Sequence, residues 1–170
     1  MEEHNKNVII EKIKVASELV EKRDNSDIKD QYPKQEFTLV DIVRNGYCMI
    51  QATIKSLEAL NKKPPRQSQI LEKAKEEMKN YKMYLNYDEK REIDPMEQMN
   101  NYIRMASYNS PIGDIIIPMI STMLQIRIVI LEDKGNYYGL ANQEHIFGHK
   151  GQDTVYFLKT KKHYDALIVN

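Results

Sequence analysis

Cys48, His163 and Asp165 are the residues whose types and spacing suggest chemistry. Cys48 is the only cysteine among 170 residues. It follows Arg44-Asn45-Gly46-Tyr47, where a glycine-bearing turn runs into an apolar helical pattern. A thiol at a helix N-terminus faces unpaired backbone N–H groups and the positive end of the helix dipole, which favour the thiolate. A lone cysteine is more often a small buried hydrophobe than a nucleophile, so the rest of the chain must supply the case for chemistry. His163 and Asp165 lie two apart on a predicted strand, and such side chains leave one face. A carboxylate there can accept a hydrogen bond from the imidazole Nδ1–H, leaving Nε2 free as a base. With the Cys48 thiol this makes an activated nucleophile for acyl transfer. The turn Asn45-Gly46-Tyr47 adds backbone amides that could hold an oxyanion. The bland alternatives are an ordinary Asn-Gly turn and a strand-end histidine beside an unrelated aspartate.

Other candidate sites are weaker. His145 and His149 are four apart, but Gly148 and Gly151 break any helix there. No acidic or cysteine partner completes a metal set, and none is expected. No phosphate-cradling or dinucleotide glycine motif is present.

The elements needed to position these residues can be read from periodicity. Asn7 to Arg23 carries Ile9, Ile13, Ala16 and Val20 at helical spacing, and the polar run from Arg23 to Lys34 reads as a loop. Phe37 to Val43 is a short apolar approach to the cysteine turn. A helix from Cys48 to about Leu60 faces inward through Ile50, Ile54 and Leu57, and Pro64-Pro65 closes it. A second runs from Gln67 to about Leu85 through Leu71, Ala74, Met78 and Tyr81. Asp94-Pro95 opens a third, through Met99 and Tyr102. Asn109 to Asp114 reads as a turn before a helix carrying Ile116, Ile120 and Leu124. With Asp114 as its cap, Pro118 is tolerable; a start at Pro111 would leave Pro118 to kink it. The period then shortens. Ile126–Leu131 and Tyr137–Leu140 read as a hairpin around Asp133–Asn136, followed by strands at Asp153–Lys159 and His163–Val169. Helices first and strands last argue for an α+β domain: a small, mainly antiparallel sheet packed between helices.

Bulk properties bound the function. The length suits one domain over 1–170, with an N-terminal helix and loop over 1–36 and a core over 37–170. Twenty-five basic and twenty-five acidic residues cancel, so charge offers no argument for nucleic acid or an anionic membrane as a partner. One cysteine excludes an intrachain disulfide and suits a reducing, cytoplasmic compartment. The polar opening Met1-Glu2-Glu3 does not read as a secretory signal, and no apolar run reaches transmembrane length.

Three blocks, in order, resemble the ovarian-tumour (OTU) family of cysteine deubiquitinases. Asn45-Gly46-Tyr47-Cys48-Met49-Ile50-Gln51-Ala52 is similar to the family's Asp-Gly-Asn-Cys-Leu-Phe-Arg-Ala. Gly113-Asp114, an apolar helix and Ile126–Ile130 are similar to its Trp-Gly-Asp, helix and strand. Val155–Leu158 followed by His163-Tyr164-Asp165-Ala166-Leu167 is similar to its C-terminal strand and His-Tyr-Asp-(Ala/Ser)-Leu. The resemblance implies a papain-like fold and hydrolysis of isopeptide bonds after the ubiquitin C-terminal Gly-Gly. Cys48 is then the nucleophile, His163 the base, Asp165 its orienter, and Asn45 to Tyr47 the oxyanion loop. It implies ubiquitin or polyubiquitin as partner, action as a monomer, and no cofactor. Asn45 departs from the family's aspartate, and Ile112 from its tryptophan. These departures keep two alternatives open: an inactive ubiquitin-binding relative, and a protease for a ubiquitin-like modifier.

Overall fold

A computed structural model describes residues 24–83, 95–105, 110–140, 145–161 and 163–170. The predicted Asn7–Arg23 helix lies outside them. Among the described residues seven strands form one mixed sheet: β1 (Gln31–Pro33), β2 (Phe37–Val40), β3 (Ile126–Asp133), β4 (Tyr137–Leu140), β5 (Ile146–Phe147), β6 (Asp153–Thr160) and β7 (His163–Val169). Their order is β1-β4-β3-β6-β7-β2, with β5 also on β3. Only β3 and β6 pair in parallel, so the sheet is mainly antiparallel as expected. The helices are α1 (Cys48–Ala59), α2 (Gln67–Glu77), α3 (Pro95–Met105) and α4 (Ser110–Leu124). Among the described residues no helix is long and apolar enough to cross a membrane.

Alternation along the central strand divides the core. Ile126, Ile128 and Ile130 join the helices, whereas Val129 and Leu131 pack on the opposite face with Tyr32, Phe37 and Tyr138. β3 is thus covered on both faces, which is why its sequence reads as a continuous apolar run. α1 lies on β7 through the expected stripe, with Ile50 and Leu57 buried. Its buried Thr53 and Ser56 hydroxyls donate to the carbonyls of Met49 and Ala52, at 2.9 and 2.8 Å, so neither is left unsatisfied.

Several elements differ from expectation. Gln31–Pro33, inside the presumed loop, is an edge strand paired with β4. Proline is tolerated there because an edge strand need not donate on its outer side. The short strand β5 was not expected either. α2 stops at Glu77 and continues as a 3-10 stretch over Met78–Met83, with Asn80 out of helical geometry. The presumed turn before α4 is helical from Ser110 onward, so Pro118 sits inside the helix. It removes one intrahelical donor, the bond to the carbonyl four residues back.

Arg127 ties the polar segment before β1 to the sheet. It is buried on β3 and grips Asp27 with two nitrogens, at 2.8 and 2.6 Å. Its Nε donates to Thr154 at 2.9 Å. The guanidinium bond holds the Asp27 carboxyl down to about 2.

Candidate active site

The site forms where α1 begins and β7 begins. A two-residue connection joins β6 to β7, with Thr160 opposite His163. Lys161 adopts a left-handed φ of 51° to close it, as short hairpins require. Leu158 then lies opposite Asp165. On β7, Tyr164, Ala166 and Ile168 turn toward the helical core, while Leu167 joins the opposite one. His163 and Asp165 share the Leu167 side by alternation.

His163 and Asp165 are both buried, at 6% and 7% exposure. The imidazole Nε2 meets Asp165 Oδ1 at 2.7 Å. This corrects the expected atom assignment. The nitrogen bonded to the carboxylate is Nε2, and Nδ1 remains without a hydrogen-bond partner among the described residues. Asp165 Oδ1 also accepts the main-chain N–H of Ile42 at 2.8 Å. The ring is therefore held by a carboxylate that is itself held.

Cys48 is the first residue of α1 and is 3% exposed. The main-chain N–H of Tyr164 bonds to its sulfur, which places the thiol against the start of β7, at the residue that follows His163. The first-turn backbone of Met49 and Cys48 also acts to lower the thiol. The expected backbone help is present, but it does not prevail. Burial pushes the Cys48 thiol up, those amides only partly offset it, and the Asp165 charge adds to the rise. Cys48 Sγ and His163 are not hydrogen-bonded to each other. The resting thiol therefore keeps its proton near neutral pH.

The turn before Cys48 is organised by Asn45 without a charge. Its Oδ1 accepts the Tyr47 N–H at 2.8 Å, and its carbonyl accepts the Cys48 N–H at 3.2 Å. The Asn45 N–H in turn donates to the Val43 carbonyl at 2.9 Å. Of the amides expected to face an oxyanion, those of Asn45, Tyr47 and Cys48 are thus occupied within the turn. Gly46 N–H makes no such bond among the described residues. Tyr47 anchors the turn to α3. Its hydroxyl donates to the Ile103 carbonyl at 2.8 Å, and its ring meets Tyr102 edge-on with centroids 5.3 Å apart. This anchor is invisible in the sequence, since the partners are 56 residues apart.

Two of the predicted chemical residues, His163 and Asp165, are thus in direct contact, and the third, Cys48, meets the same strand through the Tyr164 backbone. Two solved structures share the architecture. One is an OTU deubiquitinase from Wolbachia pipientis wMel bound to ubiquitin, with 14% identity and a TM-score of 0.55, over 79% of this chain and 97% of that one. The other is the viral OTU domain protease from Qalyub virus, with 12% identity and a TM-score of 0.56, over 84% of this chain and 96% of that one. This chain has the OTU-domain fold. No protein-family model and no curated protein matches its sequence. The OTU architecture accounts for the helical layers and the curled mixed sheet, and it bears out the expected α+β, papain-like class.

Sequence reasoning missed one site residue. A carboxylate oxygen of Asp41, a nitrogen of His163 and a carboxylate oxygen of Asp165 all lie within 4.8 Å of one another. The available signal was the placement of Asp41 at the end of an apolar strand, one residue before the buried Ile42.

Proposed function

We propose that this OTU-fold chain is a deubiquitinase: a cysteine protease that hydrolyses isopeptide bonds after the C-terminal Gly-Gly of ubiquitin. The observation that carries the reading is the seating of the Cys48 thiol on the N–H of Tyr164, the residue between His163 and Asp165, which are themselves bonded to each other. A second support is the OTU fold itself, shared with a deubiquitinase solved bound to ubiquitin.

Cys48 is the nucleophile and His163 the base in this reading. His163 Nε2–H donates to Asp165, so Nδ1 is the nitrogen that takes the Cys48 proton. The thiolate attacks the scissile carbonyl, and the oxygen becomes an oxyanion held by backbone N–H groups near the cysteine turn. His163 returns the proton to the leaving lysine amine, which departs and leaves a thioester. Water, deprotonated by His163, then releases ubiquitin and restores the thiol. Burial that raises the thiol makes this relay necessary, because little thiolate exists without a neighbouring base.

Cleavage of di-ubiquitin across a panel of linkages tests the reading. Mono-ubiquitin should accumulate with the wild type, not with Cys48→Ala, and only slowly with His163→Ala. An intact panel with retained ubiquitin binding would favour an inactive binding module. The occupied loop amides and uncharged Asn45 are the features that favour that second reading.

A further inference from the structure

The His163–Asp165 pair has a second carboxylate beside it, and its placement is built into the fold. Asp41 directly follows β2, and the backbone on either side of it is pinned. Val40 is in register with Ala166 on β7. Ile42 is buried and donates its N–H to Asp165 Oδ1 at 2.8 Å. The Asp41 side chain is exposed, yet its carboxylate stays within 4.8 Å of both a His163 nitrogen and an Asp165 oxygen. Asp41 makes no hydrogen bond or salt bridge of its own among the described residues, so no structural bond explains its closeness. Cys48 Sγ lies outside this three-residue cluster.

We propose that Asp41 is a positioning residue that favours the imidazolium form of His163 and so draws the proton from Cys48. The inference rests on Cys48 and His163 acting as nucleophile and base. Before proton transfer, two carboxylates lie near a neutral ring and repel each other. After transfer, both lie near a positive ring. The proton leaves Sγ and bonds to Nδ1, so negative charge appears on sulfur and positive charge on the ring. Because Asp41 clusters with the ring and not with the sulfur, its charge stabilises the product more than the reactant. Solvent screens an exposed carboxylate, so its influence is smaller than that of the buried Asp165.

Alkylation of Cys48 by iodoacetamide tests this without any ubiquitin substrate. Rates are followed on the full chain by intact mass at pH 7, at low salt and in 1 M salt. Asp41→Asn should slow alkylation by about 3–10-fold at low salt, the size expected of one solvent-screened charge at this range. Asp41→Glu should stay within about twofold of the wild type, and the loss in Asp41→Asn should shrink in 1 M salt. Thermal melts of Asp41→Asn should match the wild type, since the side chain is exposed. A wild-type rate in Asp41→Asn, together with slowed alkylation in His163→Ala, overturns the role of Asp41 and leaves the base assignment standing. A loss that salt does not relieve and Glu does not rescue also overturns it, in favour of packing. A rate indifferent to His163→Ala overturns the base assignment and the Asp41 inference with it.

Discussion

Replacing Asp165 separates its two duties, because one oxygen serves both. Oδ1 accepts the Ile42 N–H at 2.8 Å and the His163 Nε2–H at 2.7 Å, in a site where Asp165 is 7% exposed. Asp165→Ala removes the acceptor of both bonds and leaves the N–H of buried Ile42 unpaired. An orphaned buried donor costs about 1–3 kcal/mol. In a chain of this length each kcal/mol is about 2–4 °C of Tm, so a mid-range cost of about 2 kcal/mol lowers Tm by about 4–8 °C. Asp165→Asn keeps an oxygen for Ile42 and should lie within about 1 kcal/mol of the wild type. It loses the charge that stabilises the imidazolium. Both variants should therefore lose turnover, by about 10–1,000-fold in kcat with KM little changed, while only Ala loses substantial stability. Calorimetry and a fluorogenic ubiquitin substrate measure the two effects independently. Wild-type kcat in Asp165→Asn would refute the orienting role, and equal Tm values for Ala and Asn would refute the Ile42 contribution.

Other outcomes follow from single contacts. Tyr47→Phe keeps the ring against Tyr102 but leaves the Ile103 carbonyl without its donor, so Tm should fall by about 2–6 °C, for a loss of about 1–1.5 kcal/mol. Asp27 is held down to about 2 in the folded chain by its bond to Arg127, against an ordinary value of 3.8. Its stabilising contribution is therefore fully present above about pH 4 and lost as pH falls through about 2. The Tm advantage of wild type over Asp27→Asn should shrink across that window. Lys161→Gly relieves a left-handed non-glycine residue at the β6–β7 connection, and chemical denaturation should show a gain of about 0.5–1 kcal/mol.

Much of the framework was legible because it follows from period. The Ile50 and Leu57 stripe of α1, the apolar run of β3 and the i, i+2 placement of His163 and Asp165 all appear as expected. What was not legible depends on partners distant in sequence. Gln31-Tyr32-Pro33 has no strand pattern of its own and becomes β1 only because β4 offers an edge. Ser110-Pro111 resembles a turn locally, yet helical geometry runs through it into α4. Spacing placed His163 and Asp165 on one face but could not choose between ring nitrogens, a matter of rotamer and of how Ile42 fixes Asp165. The helix-start placement of Cys48 follows from the local sequence, but the balance of forces on its thiol does not. Helix-start amides reach the sulfur as expected, and burial among Met49, Ile50 and their neighbours outweighs them.

Reaction with ubiquitin carrying a C-terminal electrophile tests whether Cys48 is a nucleophile for ubiquitin. The expected product is a covalent adduct whose mass is that of one ubiquitin probe, mapped by fragmentation to Cys48, absent in Cys48→Ala and formed much more slowly in His163→Ala. No adduct with the folded wild-type chain, or an adduct on any residue other than Cys48, would contradict that role.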